Sequence, residues 1–231
     1  MRHAIAQTNL QLYGQMIELG YGDEALELAN RAYLFAARAT AGILRGSGKP
    51  FACHLAGTAS AVAAEGLAAP VIAASLLHAL YQDRIRFPGA ATAEQRRAGI
   101  RDRFGAEVES LVHAYHAFET ARLDDIDDDS LVAQRTVVVM RLADELDDLV
   151  DDAIAMHGKP GDGESVGGSA ASRRAQKAGH GPTLLRVARL VGTTHLPGHL
   201  EHWLDRTARV RWPEGLRSGE YSSFEVSEAG A

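Results

Sequence analysis

The chain has 231 residues, enough to bury one sizeable core, and its 46% hydrophobic and 23% charged residues are the balance of an ordinary globular domain. A net charge of −6 lacks the basic field that phosphate-backbone binding needs, so nucleic acid is not an expected partner. A single cysteine, Cys53, leaves no intrachain disulfide; no apolar run approaches the ~18 residues of a membrane span, and no leader-like segment opens the chain, so a cytoplasmic protein without membrane contact is expected.

Apolar residues recur at helical spacing almost throughout, and alternating strand patterns are scarce, which predicts an all-α fold. A first helix is expected from about Asn9 to Leu19, ended by Gly20-Tyr21-Gly22. Asp23 then caps a longer helix carrying Leu26, Ala29, Tyr33 and Ala36, which stops at Gly46-Ser47-Gly48-Lys49-Pro50. Two shorter helices follow, roughly His54 to Glu65 and Ala69 to Gln82. The second is apolar nearly all round, which marks a central helix. A charged helix from about Thr92 to Phe104, a helix from Ala106 to Ala121 and a long helix from Ser130 to Met156 complete the expected main domain, residues 1–157. Composition then shifts to Gly, Ser, Ala, Lys and Arg with few apolar anchors, so 158–181 reads as a flexible linker or insertion, followed by C-terminal helices over 182–212 and a loosely ordered tail, 213–231.

Three polar residues fall where the pattern predicts burial. His78 sits inside the apolar central helix, Asp144 shares a helical face with Val137 and Met140, and His54 opens the helix after "SGKPFACH". A buried carboxylate needs a cation, a strong donor or a proton, and two imidazoles with one carboxylate are a ligand set for a divalent ion with open positions. The same spacing also fits two satisfied core histidines and a capping aspartate, and spacing alone does not decide between them.

The run "GSGKPFACHLAGTASAVA" resembles the stretch around the first metal histidine in the hydrolase domain of the RelA/SpoT enzymes, which cleave the 3'-pyrophosphate of guanosine alarmones with Mn2+. "AASLLHALYQD" resembles their second segment, an LLHD followed by a Glu-Asp pair, and "VVVMRLADELDDLVD" resembles their last, built on LADRLHN. The three lie in order between about Ala29 and Asp152. The resemblance implies an HD-domain-like helix bundle in which His54, His78 and Asp144 hold a divalent metal (Mn, Fe or Zn). It places Arg45 near the substrate base and Asp83 at the second acid of the pair. The departures are as informative. Ala79 stands where the aspartate of the HD pair belongs, Gln82 replaces the glutamate that helps activate water, and Asp148 replaces an asparagine beside the substrate. An amide cannot accept a proton near neutral pH. "LLHALY" together with "LQLYGQMIELGY" also resembles a bacterial group of HD-like proteins in which such a reduced site is usual.

The resulting expectation is a degenerate HD-type metal-dependent phosphohydrolase-like protein acting on a nucleotide or other anionic phosphorylated small molecule. Gln82 and Asp83 are the catalytic positions, and Arg45, Lys49, Tyr81 and Asp148 are the substrate-facing ones, although the family offers no role for Tyr81. The alternative is a non-catalytic HD-fold module that binds a ligand or a partner protein. Other signals carry less. Gly-Ser-Gly-Lys at 46–49 lacks the full phosphate-loop pattern, and Asp124–Asp129 lacks the glycine and closing glutamate of a calcium loop. His113/His116 and His195/His199/His202 read as surface or structural histidines.

Overall fold

The computed structural model describes residues 4–45, 48–82, 85–90, 92–118, 122–150, 170–210, 213 and 224–225. Helix α1 (Asn9–Glu18) begins where the Thr8 hydroxyl accepts from Gln11 N, and Gly20, at φ +84°, turns the chain out of it. Helix α2 (Asp23–Ala39) starts at Asp23 rather than being capped by it, since Gly22 occupies the N-cap. Asp23 and Glu24 place negative charge on its first turn.

Helices α3 (Phe51–Ala64) and α4 (Ala69–Leu77) form the centre. From His54 to Ala64 every residue of α3 is buried. Its Ala, Gly, Ser and Thr side chains are small, so α1, α4 and α8 can all approach its axis closely. α4 is buried from Val71 to Leu77, as its all-round apolar sequence predicts, and lies against α2, α3 and α6. The expected helix to Gln82 instead ends at Leu77 and tightens into a 3₁₀ turn, His78–Tyr81. Arg96 reaches back from α5 and donates to the Leu80 and Gln82 carbonyls at 2.8 and 3.0 Å, satisfying acceptors that the helix end would leave orphaned.

Helix α5 (Ala93–Phe104) opens with a reciprocal Thr92/Gln95 capping box, and α6 (Ala106–Phe118) packs on it. Between them lies a fully buried carboxylate, Glu109, bonded to Arg97 Nε at 2.6 Å and Arg101 at 2.9 Å. The expected continuous helix from Ser130 is divided: α7 (Asp128–Ala133), capped by Asp127, meets α8 (Arg135–Val150) at Gln134, whose φ of −100° and ψ of 24° bend the axis. Hydrogen bonds persist on both sides, so this is a kink and not a loop.

Helix α9 (Ala170–Leu190) corrects the expected linker: residues 158–169 lie outside the described residues, but from Ala170 onward the segment is helical and continues through Pro182. The segment is rich in Ala, Arg, Lys and Gln, strong helix formers whose propensity does not depend on an apolar stripe. Helix α10 (Leu196–Arg209) packs on α8 and α9, with its first backbone N–H groups held by a residue far away in sequence. Glu65 accepts from Thr194, His195 and Leu196 N at 2.6–2.7 Å, a carboxylate cap at the positive helix end. In the expected tail, Phe224–Glu225 pairs antiparallel with Ile43–Leu44 in a two-residue ladder. No helix of the described residues is long and apolar enough to cross a membrane.

Candidate metal centre

His54 lies in the first turns of α3, His78 opens the 3₁₀ turn after α4, and Asp144 projects from the middle of α8. These three elements meet at the core. One ligand atom from each of His54, His78 and Asp144 lies within 4.8 Å of the other two. His54 Nε2 is 3.0 Å and His78 Nε2 3.8 Å from the same oxygen, Asp144 Oδ1.

Hydrogen bonds on the far side of each ring fix what faces this point. His78 Nδ1 is 2.7 Å from the Ser75 carbonyl, which can only accept, so Nδ1 carries the proton and the neutral ring's lone pair lies on Nε2. Burial, helped by the nearby charges of His54 and Arg45, pulls the His78 pKa down to about 4 against the opposing pull of Asp144, so the ring is neutral at physiological pH. His54 Nδ1 faces Asp147 Oδ2 at 2.8 Å, again a donor to an acceptor. Its Nε2 is buried and faces Asp144 Oδ1. Burial and the Arg45 charge oppose protonation of His54, but Asp144 and Asp147 outweigh them and raise its pKa.

Asp144 uses its other oxygen differently. Oδ2 accepts from the fully buried Tyr115 hydroxyl at 2.7 Å. Burial alone would raise the Asp144 pKa, but its contact with His54 and the charges of His54, His78 and Arg141 hold it well below the usual carboxylate range. The arrangement therefore brings two imidazole nitrogens and one ionised oxygen to a common point, and a cation bound there would take the place of the proton that Asp144 and Asp147 favour on His54. The residues fit a divalent ion with nitrogen and oxygen preferences.

The other expected site residues divide. Ala79 is buried, so a methyl group occupies the position where the resemblance expects a ligand carboxylate. Arg45 pairs with Asp148 and stacks over the Phe51 ring, and Lys49 Nζ is 2.8 Å from Asp147 Oδ2, so each expected anion clamp already faces an aspartate. Gln82 is half-buried in extended backbone beyond the 3₁₀ turn, not one helical turn past His78 as a continuing helix would place it. Asp83 lies outside the described residues. Tyr81 turns its hydroxyl to Glu109 at 3.4 Å and stacks on His116.

Sequence reading missed Asp147 and Tyr115. Asp147 looked like one of several crowded acids on a helix, and only its i+3 offset from Asp144 signalled a shared face. Tyr115 carried no signal beyond an aromatic at a core position. Among the described residues no second group of candidate metal ligands comes together, so His113/His116 and the histidines from 195 to 202 form no such cluster.

A helical bundle that brings two buried histidines and a partly exposed aspartate together from three separate elements, in a set that could hold a metal ion, is the arrangement of an HD-type bundle. The profile of the HD domain matches residues 32–151, more than half of the chain, and the chain belongs to the HD-domain family. Among solved structures, it is similar to one described as a metazoan ortholog of SpoT that hydrolyzes ppGpp, with 17% identity, coverage of 82% of this chain and 98% of that one, and a TM-score of 0.50. That likeness concerns the fold. No curated protein gives a significant match to the sequence.

Proposed function

We propose that the chain is a metal-dependent, phosphohydrolase-like HD protein that holds Mn, Fe or Zn on His54, His78 and Asp144 and takes a phosphorylated small molecule or nucleotide as substrate. The observation that carries this reading is the convergence of His54, His78 and Asp144 from three elements, with one ligand atom of each within 4.8 Å of the other two and both histidines buried. A divalent ion bound there supplies Lewis-acid polarisation of a phosphoryl oxygen and lowers the pKa of bound water.

The chain's own residues complete the site. Tyr115 holds Asp144 Oδ2, leaving Oδ1 for the ion. Arg45 and Lys49 bind the anionic group by exchanging their aspartate partners for phosphate oxygens. That exchange makes binding weaker than at a site with unopposed cations. Asp83 takes the proton from water, and Gln82 orients that water without accepting its proton. With a buried methyl at Ala79 and an amide at Gln82, turnover is slow.

The same two positions, with both cations neutralised by Asp147 and Asp148, favour a second reading in which the fold binds an anionic ligand or a partner protein without catalysis. The experiment is elemental analysis after metal-supplemented expression, paired with phosphate and pyrophosphate release from nucleotides, including guanosine 3'-pyrophosphates. The proposal expects one equivalent of transition metal, lost in His54→Ala and His78→Ala, and turnover that depends on it. A folded protein with no bound metal overturns it. Bound metal with no turnover on any phosphorylated substrate favours the binding module.

A further inference from the structure

We propose that Asp147 is the positioning carboxylate of the metal centre: it fixes the His54 tautomer that presents Nε2, and its charge stands in, one bond further out, for the ligand carboxylate that Ala79 lacks. This rests on the metal reading above. Asp147 is 1% exposed, and its two oxygens collect three donors from two segments distant in sequence. Oδ2 meets His54 Nδ1 and Lys49 Nζ, each at 2.8 Å, and Oδ1 accepts from Gln7 Nε2 at 2.9 Å.

The backbone makes room for this group. A Cβ on Gly57 would sit 1.8 Å from Asp147 Oδ1 and 2.8 Å from Gln7 Nε2, so the carboxylate occupies the space where a side chain of α3 would be. Glycine in a helix interior is locally unfavourable relative to alanine, and here that cost coincides with the seat of a buried charge. The LADRLHN pattern has a histidine at position 147, so the carboxylate is a departure of this chain and is not inherited with the three ligands.

The chemistry follows from the imidazole. In water the neutral ring prefers the proton on Nε2, which would direct an N–H at Asp144 and His78 and block coordination. A carboxylate bonded to Nδ1 reverses that preference and makes Nε2 a more basic ligand. A carboxylate in contact with a ligand imidazole also adds negative charge to a centre that has only one ligating carboxylate. A purely structural Asp147, serving only to anchor the Lys49 loop to α8, would affect stability and nothing at the ring.

The test reads the ring and the ion separately, using Zn2+ alone as probe. In metal-free wild type at alkaline pH, where imidazoles are neutral, ring 15N shifts should show His54 with its proton on Nδ1. Asp147→Asn keeps the size and removes the charge. It should weaken Zn2+ about 10- to 100-fold in competition with a chromophoric chelator and shift the His54 tautomer toward Nε2–H. Gly57→Ala, which favours helix but displaces the carboxylate, should do the same with unchanged helix content. An Nε2–H tautomer for His54 in the wild type overturns the proposal even if neither variant folds. Wild type that binds Zn2+ while Asp147→Asn binds equally well, with the same tautomer, overturns it and leaves the metal reading standing. Wild type that binds no Zn2+ overturns both.

Discussion

Tyr115→Phe removes one oxygen from the core and leaves Asp144 Oδ2 without its donor. The phenol is fully buried, and burial first, then Asp144, hold its pKa well above the ordinary value, so it is a neutral donor throughout the physiological range. A hydrogen bond to a charged group contributes about 1.5–3 kcal/mol. The Asp144 side chain is 20% exposed, so water can reach it and partly replace the hydroxyl, which places the loss near the lower end of that range. In a domain of this size each kcal/mol moves Tm by roughly 2–4 °C, so a loss of about 1.5–2 kcal/mol lowers it by roughly 3–8 °C. Calorimetry in excess chelator isolates this effect from metal binding, and urea midpoints check it. A variant whose Tm lies within about 1 °C of wild type would show that the bond is not formed or that Asp144 is not ionised.

Ala79→Asp places a carboxylate in a buried position beside His78. It should destabilise the chelated protein yet raise Mn2+ affinity, and adding Gln82→Glu supplies a base. A folded double variant that binds Mn2+ no better than the parent would refute the proposed vacancy at this ligand position. Burial opposes ionisation of Glu109, but Arg97 and Arg101 more than offset it and hold its pKa below the ordinary value. As pH falls, the unfolded chain takes up this proton before the folded one, so the contribution is present above the usual glutamate pKa of about 4.3 and is lost on acidification through that value toward the folded pKa. Glu109→Gln should flatten the acid limb of urea midpoint against pH, and parallel limbs would contradict the assignment. Glu65→Gln keeps an acceptor but removes the charge from the start of α10. A destabilisation of about 0.5–1 kcal/mol, with faster amide exchange at Thr194, His195 and Leu196, is expected, and unchanged exchange would show that water caps the helix equally well.

The fold was legible wherever apolar periodicity carried it. The apolar run Val71 to Leu77 marked a central helix, and the charged helix expected from about Thr92 starts at Ala93, with Thr92 as its cap. The kink at Gln134 was not legible, because nothing in the apolar pattern changes across it. Residues from Ala170 were misread because an Ala- and Arg-rich helix without an apolar stripe has a linker's composition. At the site, polarity inside apolar helices made His54, His78 and Asp144 candidates, and the resemblance of three ordered segments to the RelA/SpoT hydrolase domain made them a ligand set. Asp147 was hidden by its neighbours: in sequence it is one of several crowded acids, and only the structure shows that Asp147 and Asp148 each face a cation. Lys49 and Arg45 come from a loop 98 and 103 residues away, a pairing that no local pattern encodes.

That separation also orders events at the ribosome. His54 and the aspartate bonded to it are 93 residues apart, and at roughly 5–20 residues per second the first emerges some five to twenty seconds before the second. During that interval α3 and α4 can pair through their apolar faces, but neither histidine has met a carboxylate of α8. The long loop must close before the ligand set exists, so the centre belongs to the late, non-local part of folding. On the metal reading, capture of the ion follows docking of α8 and does not nucleate the bundle.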